Sequence, residues 1–249
     1  MKLIYITTDD PLYLPAFFDH ILDKSDDNVA GVYVAPTLYK NENSFSAAKK
    51  FYRTFGLYDF AVLGCRVLLA KIKRQSIARV CRKHGVACEK VSDVNSIEFL
   101  DELKTQSPDV IISVSCPQIF KKPLIVLPAR GALNIHGAIL PRYRGIMPAF
   151  WMMANGETRA GVSIYFMNEK IDAGDLCGQE VFDIQREESL DHFIRRSKRI
   201  AANLLLTTLR RIKCNTIKRS PLNLAEGSYY SWPDPQAVNR FREAGHRLW

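Results

Sequence analysis

A chain of 249 residues, 47% of them hydrophobic, can bury one sizeable core with at most a small appendage beside it. Its formal charge of +9 suits a polyanion, an anionic membrane surface or a phosphorylated small molecule, without choosing among them. No stretch reaches about 18 uninterrupted apolar residues, which excludes an ordinary membrane span. Cys65, Cys81, Cys88, Cys116, Cys177 and Cys214 form no CxxC pair and no metal-finger spacing, so they read as reduced and mostly buried thiols of a cytoplasmic protein.

In chain order, "KLIYITT" is a short β-branched and aromatic strand, and its neighbourhood has neither the long apolar segment nor the cleavage site of a secretory signal. Asp9, Asp10 and Pro11 turn it into "LYLPAFFDHILDK", which has the spacing of an amphipathic helix despite Pro15. "NVAGVYVA" reads as a second strand, and "PDVIISVS" (108–115) as another after the helical "SIEFLDELKTQ". Strands that are continuous apolar runs alternating with helices predict an α/β fold with a mostly parallel sheet covered on both faces.

Between the second strand and "VACEKV" lies a long basic and aromatic insertion that predicts two or three helices. With Lys71, Lys73, Arg74, Arg79, Arg82 and Lys83 they could lie on a membrane surface, but the expectation is that they pack on their own domain and leave their charges solvated. Residues 190–217 have the period of one long helix whose basic faces are expected to be solvated rather than to meet nucleic acid. The aromatic tail contains Pro233 and Pro235, which are expected to bar a regular helix there; it reads as a docking or dimerising segment, or a clasp on the domain.

The chemistry gathers in "GALNIHGAILPRYRG". On a strand, residues two apart share a face, so Asn134 and His136 point together at a strand end, where open α/β sheets bind ligands. An amide can donate to a carbonyl oxygen that is gaining negative charge, and an imidazole can take a proton near neutral pH; together they suit acyl transfer. A polar pair capping a strand end is the equal alternative. Further on, "IDAGD" presents Asp172 on a turn with the small neighbours Ala173 and Gly174, able to approach a ligand or an imidazole closely.

"LNIHGAILPRYRG" followed by "AGVSIYFMNEKIDAGDL" resembles the folate-dependent formyltransferases, whose motif is an N-x-H pair, a Leu-Pro-x-x-x-Gly loop and a later D-x-G-D turn, here all present in order. The resemblance runs from about Lys2 to Leu206. It implies a Rossmann-like catalytic domain over 1–215 with a short C-terminal segment over 216–249, a homodimer, and formyl transfer from 10-formyltetrahydrofolate to a primary amine without a metal. Carried over, Asn134 binds the formyl oxygen, His136 relieves the amine of its proton and Asp172 supports His136. The pterin slot falls to Cys116, Gln118, Ile119 and Phe120 on one loop and to Asn168 and Ile171 on another; Cys116 is expected to be a small buried thiol and no nucleophile.

Within that family the first loop, "ITTDDPLYLP", lacks the glycines of the glycinamide ribonucleotide transformylase phosphate loop. After the long helix about forty residues remain, too few for the RNA-binding domain of the methionyl-tRNA enzymes. The implied acceptor is therefore a nucleotide-linked amino sugar, with Arg142, Tyr143, Arg144 and Gly145 as substrate-binding candidates and the tail's Tyr229, Tyr230 and Trp232 able to meet a pyrophosphate, a base or a sugar face. A tRNA enzyme, a lipid-linked amino-sugar enzyme and a non-catalytic folate- or nucleotide-binding protein are the alternatives.

Overall fold

The computed structural model describes residues 1–36 and 44–249. In chain order its elements are β1 (Lys2–Thr8), α1 (Leu14–Lys24), β2 (Asn28–Ala35), α2 (Ser44–Phe55), α3 (Leu57–Ile72), α4 (Ile77–Lys83), β3 (Cys88–Lys90), α5 (Ile97–Gln106), β4 (Val110–Val114) and α6 (Lys122–Ile125). They continue as β5 (Ala132–His136), β6 (Arg144–Gly145), α7 (Pro148–Ala154), β7 (Arg159–Phe166), β8 (Asp175–Asp183), α8 (Leu190–Lys213), β9 (Tyr229–Tyr230) and α9 (Pro235–Glu243).

One sheet takes the order β3-β2-β1-β4-β5-β7-β8, parallel from β3 through β5 and antiparallel at β7 and β8. Alternate residues of β1 serve two cores: Leu3 and Tyr5 pack with Phe17 and Phe18 of α1 and Leu205 of α8, while Ile4 and Ile6 pack with Phe99 and Leu103 of α5 on the other face. Burial on both faces is why these strands read as unbroken apolar runs. The α/β class and the mostly parallel sheet predicted from the sequence are both present.

Two boundaries differ from expectation. The long helix ends at Lys213 rather than 217, because Asn215 takes a left-handed φ of 56°, which Asn tolerates and a helix does not. Pro235 does not bar a helix; it begins one. At the first helical position its missing N–H would be unpaired anyway, and Asp234 caps the turn by accepting from the Ala237 N–H at 2.7 Å. The tail folds back on its own chain, β9 pairing with β6 and α9 packing against α7, with Phe241 stacked on Phe150 at 4.9 Å.

Over the described residues the insertion forms three helices, and α3 buries Ala70 and half-buries Val62, Leu63 and Val67 while leaving a second apolar side outward, against expectation. Its exposed side carries Leu57, Tyr58, Phe60, Leu68, Leu69 and Ile72. Its domain-facing side carries the two charges that find partners there: Asp59, 7% exposed, pairs with Arg242 at 3.0 Å, and Arg66 pairs with Asp191 at 2.7 Å beneath the Trp249 ring.

Candidate active site

β5 ends the parallel run and β7 pairs against it with Asn134 opposite Tyr165 and His136 opposite Ser163. All four side chains therefore share one face of the sheet. Ser163 secures the chain just beyond His136: its hydroxyl donates to the Ala138 carbonyl at 2.7 Å and accepts from the Leu140 N–H at 3.1 Å. The chain then climbs through Leu140–Gly145 to β6, which lies against β9.

Two glycines let the loops close. Gly145 has φ 96°, and a Cβ there would stand 2.2 Å from the Tyr230 carbonyl; a Cβ on Gly174 would stand 1.8 Å from the Phe166 carbonyl. The first lets the loop reach β9 and the second folds the aspartyl turn back on β7. Asp172, itself at φ 48°, is thereby held in a 7% exposed position, its Oδ2 accepting from the Gly145 N–H at 2.8 Å.

The polar groups form a directed relay. A carboxylate only accepts, so the Tyr165 hydroxyl donates to Asp172 Oδ1 at 2.8 Å. The Tyr165 oxygen then accepts from Asn134 Nδ2, also at 2.8 Å, which fixes the amide with its nitrogen toward the tyrosine and leaves its second N–H free. Burial, with Asp172 adding to it, pushes the Tyr165 hydroxyl well above its ordinary range, so the proton stays on this link.

His136 is oriented from its other side. The Tyr143 carbonyl accepts from Nε2 at 2.7 Å, so in the neutral ring Nδ1 carries the lone pair, 3.6 Å from Asp172 Oδ1. That separation is too long for a hydrogen bond and short enough for an ion pair once the ring is charged. His136 is only 6% exposed, so such a pair is poorly screened. The arrangement can hold a carbonyl oxygen on the free amide N–H and receive a proton on Nδ1.

These groups line one cavity of about 690 Å³ at the carboxyl ends of β1, β4 and β5. Of the residues singled out in the sequence, Cys116, Gln118, Ile119, Phe120, Asn134, His136, Gly145, Asn168, Ile171 and Asp172 all border it. Ile119 and Ile171 are large exposed aliphatics there. The Gln118 side chain is occupied with the Val94 N–H and Ser92 carbonyl, and Asn168 with the Ala173 carbonyl and Lys170 N–H. Cys116 is half-buried rather than buried, and Cys65 and Cys214 are exposed, so the thiols are less enclosed than expected; desolvation still pushes the Cys116 thiol up to about 11, keeping it protonated at neutral pH.

Arg142, Tyr143 and Arg144 do not border the cavity. Arg142 pairs with Glu157, the Tyr143 hydroxyl donates to the same carboxylate at 2.7 Å, and the Tyr143 ring stacks on Tyr230 at 5.2 Å. Arg144 supplies a β6 backbone position opposite Tyr229. Among the tail aromatics Tyr229 borders the cavity, while the Trp232 indole donates to the Thr54 hydroxyl at 2.9 Å.

Two polar side chains of the cavity, Tyr165 and Lys198, were not assigned to the site from the sequence. Tyr165 needed the β5–β7 register, which no local pattern reveals. Lys198 did leave a signal: Ile194, Ser197, Lys198 and Ala201, at helical spacing, form the α8 face on the cavity. Its ammonium donates to the Ser115 hydroxyl at 2.7 Å, and burial lowers its pKa while the Asp10 carboxylate opposes that shift.

The family described as formyl transferase matches residues 64–209. Among curated proteins, the methionyl-tRNA formyltransferase of Moorella thermoacetica is 32% identical over 166 residues, covering 67% of this chain and 52% of the relative. That of Syntrophus aciditrophicus is 37% identical over 131 residues, 53% of this chain and 42% of the relative. The chain thus spans about half the length of the curated relatives it matches. Among solved structures, the N-formyltransferase from Helicobacter canadensis, in complex with folinic acid and dTDP-3-aminofucose, superposes with a TM-score of 0.63 at 17% identity, over 98% of this chain and 80% of the other. Glycinamide ribonucleotide transformylase 1 from Symbiobacterium toebii gives a TM-score of 0.62 at 13% identity, over 90% and 94%. These identities speak for a shared fold.

Proposed function

The chain belongs to the formyl transferase family, and from that premise we propose that it moves a formyl group from 10-formyltetrahydrofolate to the primary amine of an amino sugar, carried on a nucleotide. The observation that carries the reaction is the geometry of these groups: one amide N–H of Asn134 and the lone pair of His136 Nδ1 are left free beside one cavity, while the other amide N–H of Asn134, the Tyr165 hydroxyl, His136 Nε2 and both Asp172 oxygens are engaged.

In this reading Asn134 donates to the formyl oxygen as negative charge grows on it, an interaction whose removal elsewhere costs on the order of 10²–10³ in rate. His136 Nδ1 receives the amine proton, and the Asp172 carboxylate at 3.6 Å favours the resulting cation. The Tyr143 carbonyl, holding Nε2, does the orienting that a direct carboxylate bond would otherwise do. Ile119, Phe120 and Ile171 give the pterin an apolar slot, with the backbone of Cys116, Gln118 and Asn168 around it. Holding amine and formyl carbon together can contribute about 7–11 kcal/mol to lowering the barrier. Residues 1–215 form the catalytic domain, and residues 216–249 clasp it and bring Tyr229 to the cavity.

The amino-sugar acceptor is supported by the Helicobacter canadensis likeness, which covers the tail as well as the sheet. The methionyl-tRNA enzymes, more similar in sequence, favour charged tRNA as a second reading. A panel of amino-sugar nucleotides, amino-sugar lipids, glycinamide ribonucleotide and charged tRNA, each with 10-formyltetrahydrofolate and followed by folate release, separates them. Turnover on a sugar nucleotide alone is expected; robust formylation of charged tRNA overturns the acceptor, and release with none of them overturns the transfer.

A further inference from the structure

Residues 44–85, from α2 through the turn after α4, hold ten Lys and Arg against one acid, Asp59. Their nine net positive charges equal the +9 of the whole chain, so the remainder is balanced. Asp59 is itself buried and paired with Arg242, which leaves the segment with no exposed acid of its own to offset its basic side chains.

The same segment is where apolar groups meet water. α3 completes more than four turns, and successive residues at about 100° put Leu57, Ala61, Gly64, Cys65, Leu68 and Ile72 along one stripe. All six are exposed, Leu57 and Ile72 each at 68%. Tyr58, Phe60 and Leu69 border the stripe, and its charged neighbour is Lys71, with Lys73 and Arg74 exposed just past the helix end. α2 adds exposed Phe45, Tyr52 and Arg53. Soluble monomers rarely show so continuous an apolar face without using it.

We propose that the outward face of α3, framed by the basic residues of α2–α4, docks the protein onto an anionic phospholipid surface, the helix lying along the interface. No helix among the described residues is long and apolar enough to cross a membrane, so the contact is peripheral. Charge selects this occupant. A second copy meeting this face with its own would bring the same excess of cations, offset only in part by Asp19 beside Lys83, and a nucleic acid would satisfy the cations but leave Leu57, Leu68 and Ile72 in water. Anionic lipid answers both halves of the surface, headgroups to the Lys and Arg side chains and acyl-chain boundary to the aliphatics. The inference does not depend on the reaction proposed above.

The test is co-sedimentation of the full chain with vesicles of phosphatidylcholine alone and of phosphatidylcholine with phosphatidylglycerol, at low and high salt. The protein should pellet with the anionic vesicles, much less with the neutral ones, and less as salt rises. Leu68→Glu with Ile72→Glu should weaken partitioning about tenfold or more, and each of Lys71→Gln and Lys73→Gln about fivefold. No pelleting of the wild type with anionic vesicles overturns the proposal, as does equal pelleting with neutral ones. Should the wild type instead sediment as a dimer that the Glu pair dissociates, or bind RNA in a way the Glu pair leaves untouched, another occupant holds the face. The vesicle and salt comparison on the wild type decides even if the Glu pair fails to fold.

Discussion

The cavity wall and the α3 helix each depart from the rule that polar groups face water and apolar groups face the core, and they do so in opposite senses. At the wall, buried Asp172 is bound with Tyr165 and Asn134 into one relay, and buried His136 is held beside it by the Tyr143 carbonyl. On α3, Leu57, Leu68 and Ile72 are exposed while Asp59 and Arg66 turn inward to partners. Burying polar groups costs free energy unless each is satisfied, and the wall meets that cost through donors and acceptors that still leave an amide N–H of Asn134 and Nδ1 of His136 open. Exposing aliphatics costs too, and nothing among the described residues covers them. The first departure is self-contained; the second points outside the molecule.

The largest expected effect lies at the wall. Asn134→Ala should lower turnover on the order of 10²–10³, and His136→Ala on the order of 10²–10⁴, with thermal melting little changed. Near-normal folate release in either variant would break the first half of the comparison, because the buried polar groups would then be a strand-end cap and no more.

The next effect tests whether the inward charges of α3 truly hold it. Asp191 accepts from Arg66 and Arg195, each on one oxygen, and is 13% exposed. Burial alone would raise its pKa, but the bonds from Arg195 and Tyr13 and the charge of Arg66 overcome this and hold it below the ordinary carboxylate range. Asp191→Asn should therefore cost about 2 kcal/mol at neutral pH by leaving the guanidinium of Arg66 without its counterion. The pH dependence has a definite sign: a carboxylate with a lowered folded pKa stabilises fully above its unfolded value, and the gain disappears as pH falls through the folded one. Denaturant curves should show wild type and variant converging below about pH 4; a constant gap would mean the pair is incidental.

Much of the frame could be read in advance. Unbroken apolar runs in β1, β2 and β4 announced a sheet covered on both faces, and the period of two set Asn134 beside His136. Tyr165 could not be read, since a strand's own pattern says which face a residue takes but not which residue of another strand stands opposite. Nor could the Tyr143 carbonyl, a backbone acceptor that leaves no mark on side-chain chemistry. For α3 the helical period was legible and its sense was not: periodicity finds two faces, and the assumption that the apolar one goes inward supplied the rest. Pro235 was misjudged for a related reason, because a proline forbids a helix interior but favours its first turn.

A smaller effect sharpens the wall's account. Tyr165→Phe keeps the ring and removes the hydroxyl through which Asn134 and Asp172 are joined. The amide is then free to rotate and Asp172 loses one of its donors, so kcat should fall about tenfold, the range of one hydrogen bond to a charged group, with KM nearly unchanged. A change confined to KM, or to stability, would make Tyr165 packing rather than a positioning residue.

The smallest expected effect is the most telling for α3. Leu68→Gln exchanges residues of nearly equal helix propensity at a position 58% exposed, where the leucine buries little apolar area on its own chain. Stability should change by no more than about 0.5 kcal/mol in either direction. Phe55→Ala, on the preceding helix but 2% exposed and in ring contact with Phe150 and Trp232, should cost about 3–5 kcal/mol. If Leu68→Gln proves as costly as a core truncation when urea midpoints are compared, the α3 face is packed in solution against something belonging to the chain itself. A neutral result leaves the aliphatic face present for reasons other than folding.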